Sequence, residues 1–142
     1  MRTKVSFRFA AEFIGADEDE GILGVKGVGW FIERLQRIPQ LTLSPKLIQE
    51  EWGVAVLAER RNKRFWFGVS VFGDVTWIAH VHHHSFAFLQ SFSLSGKGEF
   101  DALVRDLHTV LAADPEIRDI RWYREKDLKR PPYDWKTTPE EA

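Results

Sequence analysis

The chain has 142 residues, 44% hydrophobic and 29% charged, a balance that suits one compact domain and excludes a disordered or fibrous polypeptide. Lys and Arg number 20 against 21 Asp and Glu, so the molecule as a whole has no electrostatic pull toward nucleic acid or anionic lipid. Cysteine is absent, which rules out disulfides, thiol catalysis and thiolate metal sites.

No apolar run approaches the ~20 residues of a membrane span, and MRTKVSFRFAAEF lacks the pattern of a cleavable secretion signal. A soluble, cytoplasmic protein is expected. Six Trp and eleven Phe stand beside a single Met. Aromatic side chains of this kind build cores in small domains, and they also populate binding surfaces.

The first predicted element is a strand from Val5 to Ile14, where Val5, Phe7, Phe9, Ala11 and Phe13 alternate with Ser6, Arg8, Ala10, Glu12 and Ile14. The acidic run Asp17 to Glu20 reads as a solvated loop. A helix follows, with Val28, Phe31, Ile32, Leu35 and Ile38 spaced along one face; Gly27 and Gly29 weaken its start and Pro39 stops it. Residues 40–51 read as a connector. A three-stranded meander comes next: Trp52 to Glu59, Arg64 to Phe72 and Val75 to about His83, turned by Arg60-Arg61-Asn62-Lys63 and by Gly73-Asp74.

The stretch Ser85 to Leu94 fits either a strand or an irregular turn. Phe100, Leu103, Val104, Leu107, Val110 and Leu111 then mark a helix from Glu99 to Ala113, and Ile117 to Tyr123 reads as a last strand. Residues 124–142 are charged and contain Pro131, Pro132 and Pro139, so little regular structure is expected there. The order β-α-β-β-β-α-β points to an α+β fold for residues 1–123. About five mostly antiparallel strands form its sheet, and both helices pack on one face. The alternative is a partly closed sheet wrapped around one helix.

The conspicuous chemical cluster is His80-Val81-His82-His83-His84. On a strand, His80, His82 and His84 share one face, and two His at i and i+2 can present imidazole nitrogens to one divalent transition metal such as zinc. A third protein ligand is needed for a functional site; Glu12, Glu50, Glu51 and Asp74 are candidates that spacing does not separate. Polar histidines on a solvated strand face are the plainer account. No nucleophile motif of the G-x-S-x-G kind is present. Ser95-Gly96-Lys97-Gly98 lacks the earlier Gly and the following Ser or Thr of a phosphate-binding loop, and reads as the loop leading into the second helix.

The basic turn around Arg60 to Arg64 and the acidic block read as solvated loops, and the neutral whole argues against dedicated nucleic-acid binding. If the helices cover the Phe7/Phe9 side, the other sheet face carries Arg8, Glu12, Arg64, Trp66, Ile78, His80 and His82. That face is polar enough to be exposed and aromatic enough to bind something. It is open to a protein partner, to a second copy in a homodimer, or to the tail through Pro132, Tyr133 and Trp135.

The leading expectation is a small non-enzymatic protein-interaction domain without a cofactor, in the manner of an inhibitor or immunity-type protein. The alternatives are a metal-dependent enzyme or metal-binding protein using His80, His82 and His84, and a small-ligand site between sheet and tail.

Overall fold

The computed structural model of the protein describes residues 4–12, 25–72, 76–84 and 94–141. Strand β1 is Lys4–Ala10. Its alternation is the one read from sequence: Val5, Phe7 and Phe9, and Ala11 just beyond, are buried, whereas Lys4, Arg8 and Ala10 stay partly accessible. Phe13, Ile14 and the acidic block lie outside the described residues.

Helix α1, Val25–Leu35, turns Val28, Phe31 and Leu35 into the core and stops before Pro39, as the periodicity requires. Gly27 and Gly29 lie inside it. The helix tolerates Gly29 because that position faces open space and packs against nothing.

The segment expected to be a connector is a strand. β2 spans Thr42–Glu50 and pairs antiparallel with β3, Gly53–Arg60. It forms one edge of the sheet, so most of its side chains remain accessible and the buried alternation that betrays a strand is missing. An edge strand also accommodates Pro45, which has no N–H to donate. The register slips between Leu43 and Leu47, so Ser44, Pro45 and Lys46 face the single residue Leu57.

The meander continues through β4, Lys63–Phe72, and β5, Thr76–His84. Arg61 and Asn62 between β3 and β4 both have positive φ, 51° and 64°, the backbone that a two-residue hairpin turn of matching twist demands. Gly73 and Asp74 lie outside the described residues.

Helix α2 is Leu94–Ala113 and begins five residues before the sequence-based start. Residues 95–98 are therefore its first turns and do not form a loop. Gly98 is exposed with open space around it, so glycine there lowers helix propensity without disturbing a contact. The stripe Phe100, Leu103, Val104, Leu107 and Leu111 is fully buried.

β6, Arg118–Tyr123, completes an open antiparallel sheet of order β2-β3-β4-β5-β1-β6. Among the described residues the fold is thus one α+β domain of six strands and two α-helices, one strand more than expected. Both helices cover the face that bears Phe7, Phe9, Phe65, Phe67, Trp77 and Trp122.

That core face is stacked with rings. Trp77 lies 4.7 Å from Trp30 and 5.7 Å from Phe9, and its indole N–H donates to the Ala11 carbonyl. Asp114 clamps the layer edge. Its Oδ2 accepts from Arg34 Nε at 2.9 Å and from Arg37 Nη1 at 3.1 Å, while its Oδ1 accepts from the Glu116 amide. Burial alone would raise the Asp114 carboxyl, yet the Glu116 amide and the two arginines together hold it below the usual carboxylate range.

The C-terminal residues contain more regular structure than their composition suggests. A 3-10 helix, Glu125–Leu128, lies against β1. Lys136 exchanges two backbone hydrogen bonds with Trp122 at the outer side of β6, and a second 3-10 helix, Pro139–Glu141, sits against α2. No described helix is long and apolar enough to cross a membrane.

Candidate functional site

The pairing registers fix which side chains share the face away from the helices. Because β-strand side chains alternate, the neighbours of the core positions Phe67, Ala79 and Phe7 must point the other way. One cross-strand row on this open face runs Ser70, Ile78, Arg8, Arg121. The next runs Ala55, Gly68, His80, Ser6, Tyr123, and a third runs Leu57, Trp66, His82, Lys4. Arg64 follows one step beyond Trp66 on β4, opposite Glu59 on β3 and His84 on β5.

Six residues singled out in the sequence, Arg8, Arg64, Trp66, Ile78, His80 and His82, therefore lie on one surface. Glu12 is apart from them. It sits past the end of β1, largely exposed, 3.8 Å from Arg118.

The sequence places Trp52 at the start of a strand, where its side chain would share a face with every second residue. In the structure Trp52 belongs to the turn between β2 and β3, so it escapes that parity and lies across the open face. Its ring is 5.9 Å from Trp66 and 5.1 Å from His80. Gly68 makes room for it. A Cβ on Gly68 would come within 2.7 Å of Trp52 Cη2 and closer still to the His80 ring. A glycine in mid-strand often marks such a close approach, and it was the available signal for this contact.

Around Gly68 the four rings form one cluster: Trp66 lies 4.9 Å from His80 and 4.8 Å from His82, and the two imidazoles are 5.2 Å apart. Trp52 and Ile78 remain 43% and 38% exposed, so the cluster is a surface that still meets water.

The electrostatics of this surface are uneven. Burial among the rings, then His82, then Lys4, push the His80 imidazole down to about 4, so His80 is neutral near physiological pH. Lys4 and Arg8 stand beside the cluster on β1, and Arg8 faces Arg121 directly across to β6. Like charges placed opposite each other are destabilising unless something intervenes. Arg121 is held by Asp119 at 3.0 Å and stacks 4.6 Å from the Trp135 ring. Among the described residues, Lys4, Arg8 and Arg64 have no carboxylate within ion-pairing distance.

The rest of the basic turn is committed elsewhere. Arg60 is buried against Asp106 of α2, and Arg61 reaches Gln40 and Glu99.

Part of the face is already covered. Ser6 and Tyr123 are buried near the 3-10 helix Glu125–Leu128, while Tyr133 and Trp135 stay largely exposed. The covered strip lies over β1 and β6, and the ring cluster on β4 and β5 is left outside it.

No family model, curated protein or solved structure matches this chain. Geometry alone carries the functional reading.

Among the described residues, no group of three or more His, Asp or Glu side chains lies close enough to share a metal ion. His80 and His82 are adjacent, but their ring neighbours are Trp52 and Trp66. Of the candidate third ligands, Glu12 is at the far end of β1, and Glu50 and Glu51 are at the end of the outer hairpin. Asp74 and the His84 side chain lie outside what is described.

Proposed function

We infer that this chain is a small, non-enzymatic, cytoplasmic interaction domain that captures an acidic protein partner on the open face of its sheet. The observation that carries this is the Trp52–Trp66–His80–His82 ring cluster, with Trp52 and Ile78 exposed at its surface, bordered on β1 by Lys4 and Arg8. Tryptophan is among the side chains most often found at the energetic centre of protein interfaces, because it buries a large area with few rotors to freeze.

Lys4 and Arg8, without an ion pair among the described residues, set the partner's chemistry: an apolar or aromatic side chain seated on the rings, flanked by carboxylates that meet the two cations. Such a layout raises association rate and discriminates against basic surfaces. The form of capture proposed is that of an inhibitor or immunity-type protein, by analogy of size and composition.

The test compares wild type with Trp66→Ser and with Arg8→Glu, each shown to retain the wild-type far-UV spectrum, as baits in native lysate. The expected result is a protein with an acidic surface that is enriched on wild type, depleted on both variants and lost at high salt. Equal capture by all three baits overturns the assignment. So does a wild-type chain that instead self-associates through this face, shown by a sedimentation coefficient that falls on Trp66→Ser.

A further inference from the structure

The outer hairpin carries a feature that the open-face cluster does not use. Where Ser44, Pro45 and Lys46 face the single residue Leu57, the edge strand carries a bulge, a feature that locally bends a strand and interrupts its ladder. Beside the bulge lies a groove of about 380 Å3 lined by residues that include Leu43, Pro45 and Leu57, with Glu59 and Arg64 also lining it. That size falls within the roughly 300–1,000 Å3 range of small-molecule sites.

Glu59 and Arg64 are direct cross-strand partners, a placement that ordinarily lets opposite charges pair. Here both are exposed, and among the described residues neither has an opposite charge within ion-pairing distance. The groove is thus an apolar wall with one carboxylate and one guanidinium at its rim, neither in an ion pair among the described residues.

An anionic ligand would meet Arg64 but also Glu59, and a cationic ligand would meet the reverse. Only a ligand bearing both charges satisfies both groups. We propose that this groove binds a zwitterion with an aliphatic side chain, an apolar α-amino acid being the simplest. Its ammonium pairs with Glu59 and its carboxylate with Arg64, and its side chain covers Pro45 and Leu57. The site is distinct from the ring cluster, although Arg64 borders both; Glu59 belongs to the groove alone and separates the two.

The experiment is a titration of the 15N-labelled full chain with L-leucine into the millimolar range, followed by amide chemical shifts. Three parallel titrations use 4-methylpentanoate, which lacks the ammonium, 3-methylbutylamine, which lacks the carboxylate, and L-leucine against Glu59→Gln.

Saturable shifts confined to residues 42–46, 57–59 and 64 are expected. Each singly charged analogue, and the Glu59→Gln protein, should bind about three- to fivefold more weakly, the size of a solvent-exposed charge pair. The position is exposed, so the variant keeps its fold. Shifts that scatter over the surface without saturating, or that centre on Trp52 and His80, overturn the proposal. Equal binding of the singly charged analogues overturns the zwitterion assignment.

Discussion

The neutral His80 inside the ring cluster makes a specific demand on stability against pH. Its imidazole is lowered from 6.5 to about 4, chiefly by burial. The unfolded chain therefore takes up a proton in that interval that the folded chain refuses. Stability due to this group is fully present above pH 6.5 and is lost progressively as the pH falls toward 4. A shift of this size corresponds to about 3 kcal/mol, and partial contact of the ring with water reduces the expectation to about 2 kcal/mol.

Urea denaturation at a series of pH values through that interval measures it. His108 is also lowered by burial, against an opposing pull from Glu140, so wild type carries a second contribution of the same sign. Replacing His80 with Gln isolates the first. The His80→Gln protein should lose about 2 kcal/mol less than wild type on acidification, with an unchanged m-value. Parallel pH profiles for the two proteins would refute the buried, neutral His80 and the ring packing that explains it. Asp114 does not confuse the interval, because a depressed carboxyl loses its contribution only below the ordinary carboxylate range.

Gly68→Ala should cost about 1–3 kcal/mol through overpacking and should displace Trp52 from Trp66, read as a changed near-UV spectrum with the far-UV spectrum intact. Asp114→Ala leaves Arg34 buried without its principal counter-ion and should destabilise the domain by about 3 kcal/mol in urea melts. Arg64→Gln, at an exposed position with no ion pair among the described residues, should change stability by less than about 0.5 kcal/mol while weakening capture of the proposed acidic partner.

What could be read from the sequence tracks what is buried. β1, β4, β5 and the two helices each turn one face into the core, so their apolar residues recur at the strand or helix period. That same periodicity gave the open face its roster, since the side opposite Phe7, Phe67 and Ala79 follows once the core side is known. β2 was missed because an edge strand with Pro45 and mostly accessible side chains has no buried period to detect. The early start of α2 was hidden by Gly96 and Gly98, which read as breakers; Gly98 is exposed and touches nothing, and the periodic stripe begins only at Phe100.

Trp52 falls outside that roster for a different reason. It lies in a turn, where strand parity does not hold, and its contact with Gly68 is visible only once β4 and β5 are paired. Likewise, nothing in the linear charge pattern separates Arg60, buried on Asp106, from Arg64, exposed on the open face. Four residues on, along a turn and into a strand, the same chemistry has opposite uses.

The most direct test of the interaction face is quantitative mass spectrometry of proteins retained by wild type and by Trp66→Ser from the same native lysate, at low and high salt. The proposed function requires an acidic protein retained by wild type at low salt and absent from the other three samples. An identical protein profile on wild type and Trp66→Ser would contradict it.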